Sequence, residues 1–159
     1  MNLTSLLAFV LALSFIACGD GGNETVSAKD QHVIQLTAQN GKGVGPEIKY
    51  MEEWTAFGWF TAKDRVEWEV DVDKAGDYDV FMEWSVDDKE AGKEFILQAN
   101  NDQLTGVIGK TGSWETFKTD KVGKITLEKG DQKIIFRSNT EFDKGGLLDL
   151  RQLRLVRVD

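Results

Sequence analysis

Few residue types can carry chemistry in this 159-residue chain, because the usual catalytic ones are nearly absent. It holds one histidine, His32, and one cysteine, Cys18. A Ser-His-Asp or Cys-His device needs a base set beside a nucleophile, and no motif surrounds His32. Histidine-based metal centres are excluded by count. Carboxylates are plentiful, with 27 Asp and Glu. Glu67, Glu69 and Asp71 stand at alternate positions, which on a strand places them about 7 Å apart on one face. A solvated charged face accounts for them. No glycine-rich loop leads into a helix as a phosphate cradle would require. What remains is aromatic. All five Trp lie between Trp54 and Trp114. Thr111-Gly112-Ser113-Trp114 holds one indole on a loop of small residues, and Gly58-Trp59 holds a second. An exposed indole offers about 150–250 Å² of rigid surface with only two rotatable bonds to freeze. Binding by contact, with no catalysis, is the chemistry on offer.

The elements that must position these rings read as strands. Val66, Trp68, Val70 and Val72 alternate with Arg65, Glu67, Glu69 and Asp71, so one face is apolar and the other charged. After the turn at 73–77, Tyr78, Val80, Met82, Trp84 and Val86 repeat the period of two. Trp68 and Trp84 therefore belong to the core. Phe95, Leu97 and Ala99 form a further inward set, followed by a turn at 100–102 and a short strand over 104–108. Beyond the Trp114 loop, Phe117 is expected in a strand and in the core. Ile125 and Leu127 precede a turn at 129–131, and 133–138 reads as a strand. In the last strand Leu148 and Leu150 point one way, whereas Leu153 and Leu155 have slipped phase by one residue, which predicts a β-bulge near Arg151-Gln152. Val33 to Leu36 reads as the first strand, and 39–47 as a glycine-rich loop. Short strands with turns about every ten residues indicate an antiparallel sandwich or barrel.

The N-terminus gives an address. Residues 3–17 are almost wholly apolar, too short for a bilayer span, and end in Phe15-Ile16-Ala17-Cys18. Residues 1–17 are expected to be a signal peptide, and a small residue before the lone Cys18 is similar to a bacterial lipobox, in which that thiol is acylated. Residues 18–31 are polar and glycine-rich and read as a flexible tether of roughly 20 Å r.m.s. length. The domain is expected over 32–159. The protein is thus expected to be exported and lipid-anchored in the cell envelope, at the outer membrane or cell surface. A net charge of −8 makes nucleic acid an unsuitable partner.

The Thr-Gly-Ser-Trp loop, the strand opening Gly76-Asp77-Tyr78 and the ending Leu147-Leu148-Asp149-Leu150 together resemble carbohydrate-binding modules of the family 6 and family 35 type. The resemblance covers most of residues 33–156. It implies a jelly-roll, galactose-binding-like β-sandwich without catalytic activity, whose sugar cleft is walled by Trp114 and by the aromatic of Gly58-Trp59. Trp54 and Tyr50, in the loop region 50–60, are further ligand-binding candidates. A sugar suits two indoles because its C–H faces pack on the rings while rim hydroxyls take hydrogen bonds. The Asn that such modules place before the last strand is absent from Gly145-Gly146-Leu147-Leu148. Asn139, Glu141 or Lys144 could replace it. The family's structural calcium would match Gln35, Thr37 and Asp149, of which only Asp149 keeps a carboxylate, so no cofactor is expected, with a structural calcium near Asp149 as the alternative. Jelly-roll glycosidases use Glu-x-Asp-x-x-Glu on a strand; here Glu69-x-Asp71 is followed by Lys74, and the third acid is missing. The expected partners are oligo- or polysaccharide, the membrane through the lipid, and neighbouring glycan-degrading enzymes. The rival reading is a structural or partner-binding lipoprotein docking through an apolar patch from Tyr50 to Phe60.

Overall fold

The alternation read in the sequence becomes two walls facing each other. In the computed structural model, which describes residues 32–158, strand β5 (Arg65–Val72) buries Val66, Trp68 and Val72, and β6 (Gly76–Ser85) buries Tyr78, Val80, Met82 and Trp84. The other strands are β1 (Val33–Thr37), β2 (Lys42–Val44), β3 (Lys49–Met51), β4 (Ala56–Gly58), β7 (Glu94–Gln98), β8 (Gln103–Val107), β9 (Lys118–Leu127), β10 (Gly130–Ser138) and β11 (Asp149–Arg157). No helix is present among the described residues. One sheet runs β3-β4-β11-β6-β9, with β1 also paired to β11; the other runs β2-β5-β10-β7-β8. Every pairing is antiparallel. The chain is an antiparallel β-sandwich, as its periodicity and its family resemblance both led one to expect. The signal peptide, Cys18 and the tether lie outside the described residues.

Both core indoles find partners for their polar edge. Trp68 Nε1 donates to the Thr37 carbonyl and Trp84 Nε1 to the Gly109 carbonyl, each at 2.9 Å. A buried N–H left unpaired would cost about 1–3 kcal/mol, so these bonds fix where the loops carrying Thr37 and Gly109 can lie. The phase slip in the last strand is resolved by a bulge. Leu150 pairs with Trp84 and Gln152 with Glu83, leaving Arg151 as the extra residue. Leu150, Leu153 and Leu155 thereby all face the core.

Two expectations fail. The glycine-rich segment 39–47 is not all loop, because β2 lies within it and pairs with β5. A Cβ at Gly41 would stand 2.6 Å from Trp68 Nε1, so only bare backbone can pass over that indole. Phe117 is not in the core either. It stacks on Trp54, with centroids 6.3 Å apart, and the Arg151 guanidinium lies 3.6 Å from its ring centroid. The arginine exposed by the bulge gives the aromatic a reason to stay outside.

Antiparallel pairing sorts the loops to two poles. At one, Arg157 N donates to the His32 carbonyl and Val158 N to that of Asp77, so both termini of the described chain meet the start of β6. At the other, Asp149 pairs with Ser85, and the segments following β2, β4, β6, β8 and β10 converge.

Candidate functional site

The pole away from the termini holds an open cleft of about 540 Å³. Trp59 and Trp114 both line it, together with Glu47, Met51, Thr61, Leu148 and Asp149. Residues far apart in the sequence reach one site because each follows or begins a strand at the same pole.

Trp59 is held there at a cost. It follows β4 with φ of 56°, a left-handed conformation that a bulky residue adopts at a penalty of about 1–2 kcal/mol. The residue is 66% exposed, so burial returns little of that penalty. Lys49 Nζ stands 5.3 Å from the ring centroid on one side. The segment is pinned below by Asp64, only 1% exposed. Its carboxylate accepts from Thr61 N at 2.7 Å, Thr61 Oγ1 at 2.6 Å and Glu47 N at 3.2 Å. Burial alone would raise its pKa, but these bonds and one from Ile48 N outweigh burial and hold it below the usual carboxylate value. Gly45, at φ 146°, lets the loop after β2 close over Asp64, where any Cβ would strike the carboxylate. One buried acid thus joins the loop bearing Glu47 to the segment bearing Trp59 and Thr61.

Trp114 is set by the end of β6. Thr111 Oγ1 accepts from Val86 N at 2.8 Å and donates to the Val86 carbonyl at 2.9 Å, while Ser85 Oγ donates to the Trp114 carbonyl at 2.6 Å. Gly112, at φ 103°, turns the loop and donates to Asp88 Oδ1. The indole rests on Gly146, where a Cβ would stand 3.0 Å from Trp114 Cη2. Gly146 stands just ahead of Leu147, Leu148 and Asp149, and Leu147 N donates to the Phe60 carbonyl at 2.7 Å. The stretch that lacks the expected Asn is thus part of the cleft wall.

Asp149 is the one carboxylate that the resemblance matched to the family's calcium position. It begins β11 in the cleft, and burial pushes its carboxyl up to about 6. No hydrogen bond or ion pair reaches that carboxylate from the described residues. A Cβ on Gly58 would lie 2.7 Å from its Oδ1, so Gly58 makes room for it. Among the described residues no three His, Cys, Asp or Glu side chains group as metal ligands. Gln35 and Thr37 pair with Arg154 and Gln152 further along β11, away from Asp149.

The other candidates lie elsewhere. Trp54 stacks on Phe117 and accepts a bond from Arg151 Nε through its carbonyl; Tyr50 packs edge-on against Phe57 at 5.9 Å. Neither lines the cleft. Asn139 is engaged with Glu94, and neither Glu141 nor Lys144 lines the cleft. In the 50–60 patch Phe57 and Phe60 are buried and Trp54 is half-buried, so its exposed aromatics are Tyr50 and Trp59. Glu67 and Glu69 stand on the outer face of β5, where Glu67 is paired with Arg65 and Lys133. Glu47, Thr61 and Asp64 escaped the sequence reading, and Asp149 stood out only for calcium, since nothing in their neighbours' types marks a cleft.

No family model matches the sequence, and no curated protein matches it. Solved structures do match in fold. A family 35 carbohydrate-binding module of Clostridium thermocellum is 13% identical, with a TM-score of 0.64 over 80% of this chain and 99% of its own. A carbohydrate-binding module of Cellvibrio mixtus lichenase 5A, in complex with cellotriose, is 16% identical, with a TM-score of 0.62 over 79% and 98%. An exo-β-1,3-galactanase of Phanerochaete chrysosporium, with β-1,3-galactotriose, is 17% identical with a TM-score of 0.63; 77% of this chain matches 29% of that one. The chain has the β-sandwich fold of family 35 and family 6 carbohydrate-binding modules.

Proposed function

We propose that this protein is a non-catalytic glycan-binding module that adsorbs oligo- or polysaccharide in the cleft between Trp59 and Trp114. The observation that carries the reading is the meeting of two loop-borne indoles in one open cleft. Trp59 supports it most, since a strained and largely exposed indole adds little to the core. Sugar rings lay their C–H faces on such indoles, while Thr61 and Asp149 offer polar contacts to hydroxyls. A shallow cleft of this kind corresponds to millimolar to high-micromolar affinity, roughly −4 to −6 kcal/mol. The Cys18 lipid and its tether would hold the module at the cell envelope, where it concentrates glycan for neighbouring enzymes.

The test is retention of the chain from residue 18, carrying Cys18→Ser, in gels cast with a panel of plant, algal and host glycans. A glycan that retards the protein but not folded Trp114→Ala supports the reading. No retention on any glycan refutes it and turns attention to a protein partner. Shortening of a retained polysaccharide would refute the non-catalytic part. Labelling of Cys18 by a radioactive fatty acid in an expressing bacterium checks the anchor.

A further inference from the structure

The cleft carries a charge pattern beyond the stacking surfaces, and the inference drawn from it rests on the glycan-binding reading. Its two acidic lining residues are Glu47 and Asp149, and no Lys or Arg side chain lines it. Of the nearby cations, Lys49 stands over the Trp59 ring and Lys144 directly precedes Gly145, but neither lines the cleft. Arg151 follows Asp149 by two positions, but its Nε bonds the Trp54 carbonyl and its Nη1 meets Glu83 at 2.7 Å. Lys93 is paired with Glu90. The Asp149 carboxylate has no partner within the described chain, although part of its hydration has been stripped.

Such a group has two ways to be satisfied. Hydroxyl or ammonium protons from a ligand would complete its hydrogen bonding. A ligand carboxylate or sulfate in the same space would bring like charge against it, with no cation in the lining to offset the repulsion. We infer that Asp149 sets the charge selectivity of the cleft: it admits glycans whose bound unit is uncharged, or carries an amine, and excludes uronates and sulfate esters. Glu47, in the same lining, adds to the repulsion.

The experiment titrates the isotopically labelled chain with matched methyl glycosides, following the Trp59 and Trp114 indole N–H resonances. Methyl β-glucoside, β-galactoside and β-xyloside are compared with methyl β-glucuronoside and β-galacturonoside at low and high sodium chloride. The expected result is binding of a neutral member about tenfold tighter than its uronate counterpart, with a gap that narrows as salt screens the carboxylates. Asp149→Asn keeps an acceptor oxygen and removes the charge, so the ratio of neutral to uronate affinity should fall towards one, whatever the loss in absolute affinity. A uronate bound as tightly as its neutral counterpart by the unaltered chain overturns the selectivity, yet leaves glycan binding standing. A gap that survives both Asp149→Asn and high salt overturns the assignment to Asp149. If no glycoside shifts either indole, the glycan-binding reading itself fails and takes the selectivity with it.

Discussion

The unpaired carboxylate of Asp149 predicts that a substitution at the cleft should stabilise the protein. Burial moves its pKa from 3.8 to about 6. Between those values the folded state keeps the proton that the unfolded chain has lost, so stability falls as pH rises through this window. Above pH 6 the penalty is complete. A difference of about two units corresponds to about 3 kcal/mol, an upper figure for a group that retains some solvent contact. Asp149→Asn abolishes the charge but leaves an amide without partners, so about 1–3 kcal/mol should be recovered at pH 7.5. For a domain of this size that raises Tm by roughly 4–10 °C. Thermal unfolding of both proteins from pH 3.5 to 8 is the assay. Their Tm values should coincide near pH 3.5, where both side chains are neutral, and diverge through pH 4–6. Asp64 and Glu67, whose pKa values are lowered, add stability with rising pH in both proteins, so only the difference between the two curves is diagnostic. Equal Tm values at pH 7.5, or a gap that does not depend on pH, would refute the reasoning.

The remaining substitutions separate stability from binding. Trp59→Asn places a residue tolerant of left-handed backbone at φ 56°, so stability should stay level or rise by about 1 kcal/mol in urea denaturation while glycan retention is lost. Trp114→Ala should also abolish retention, but it removes a half-buried ring packed on Gly146 and should cost about 1–2 kcal/mol, read from the same denaturation curves. Asp64→Ala deletes the acceptor for Thr61 and Glu47 and should cost about 2–4 kcal/mol, with weaker retention on any glycan found to bind. Unchanged urea midpoints for Asp64→Ala would show that the two loops hold their places without it.

The sandwich was legible because its core strands bury one face only, and a period of two then records which side each residue takes. The same rule exposed the bulge, since Leu150 and Leu153 cannot both face inward without an extra residue between them. The cleft was legible in part, through two indoles carried on segments with a glycine one or two residues before them. Glycine-dependent features escaped. Gly41 and Gly43 read as loop, yet their missing side chains are what allow β2 to lie over Trp68 and Phe57. Asp64 gave no signal of its role as a tie between loops, because its partners in the other loop are the backbone N–H groups of Glu47 and Ile48, and backbone carries no residue type. Phe117 misled, since its outward shelter is an arginine brought out by a bulge in a strand thirty or so residues later.

The opposite placement of termini and cleft has a mechanical consequence. β1 enters at the terminal pole and pairs antiparallel with β11, from Val33 opposite Val156 to Thr37 opposite Gln152, and β11 begins at the cleft. Tension between residue 32 and a captured polymer therefore runs along these strands and across their ladder, over a body about 30 Å long. The rungs of the β1–β11 ladder lie perpendicular to that pull and share it together, in shear, so they are not peeled apart one at a time. Were the cleft to hold polysaccharide as proposed, shifting strands of it would load the domain along its strongest direction, and a millimolar grip on the sugar would yield before the fold does.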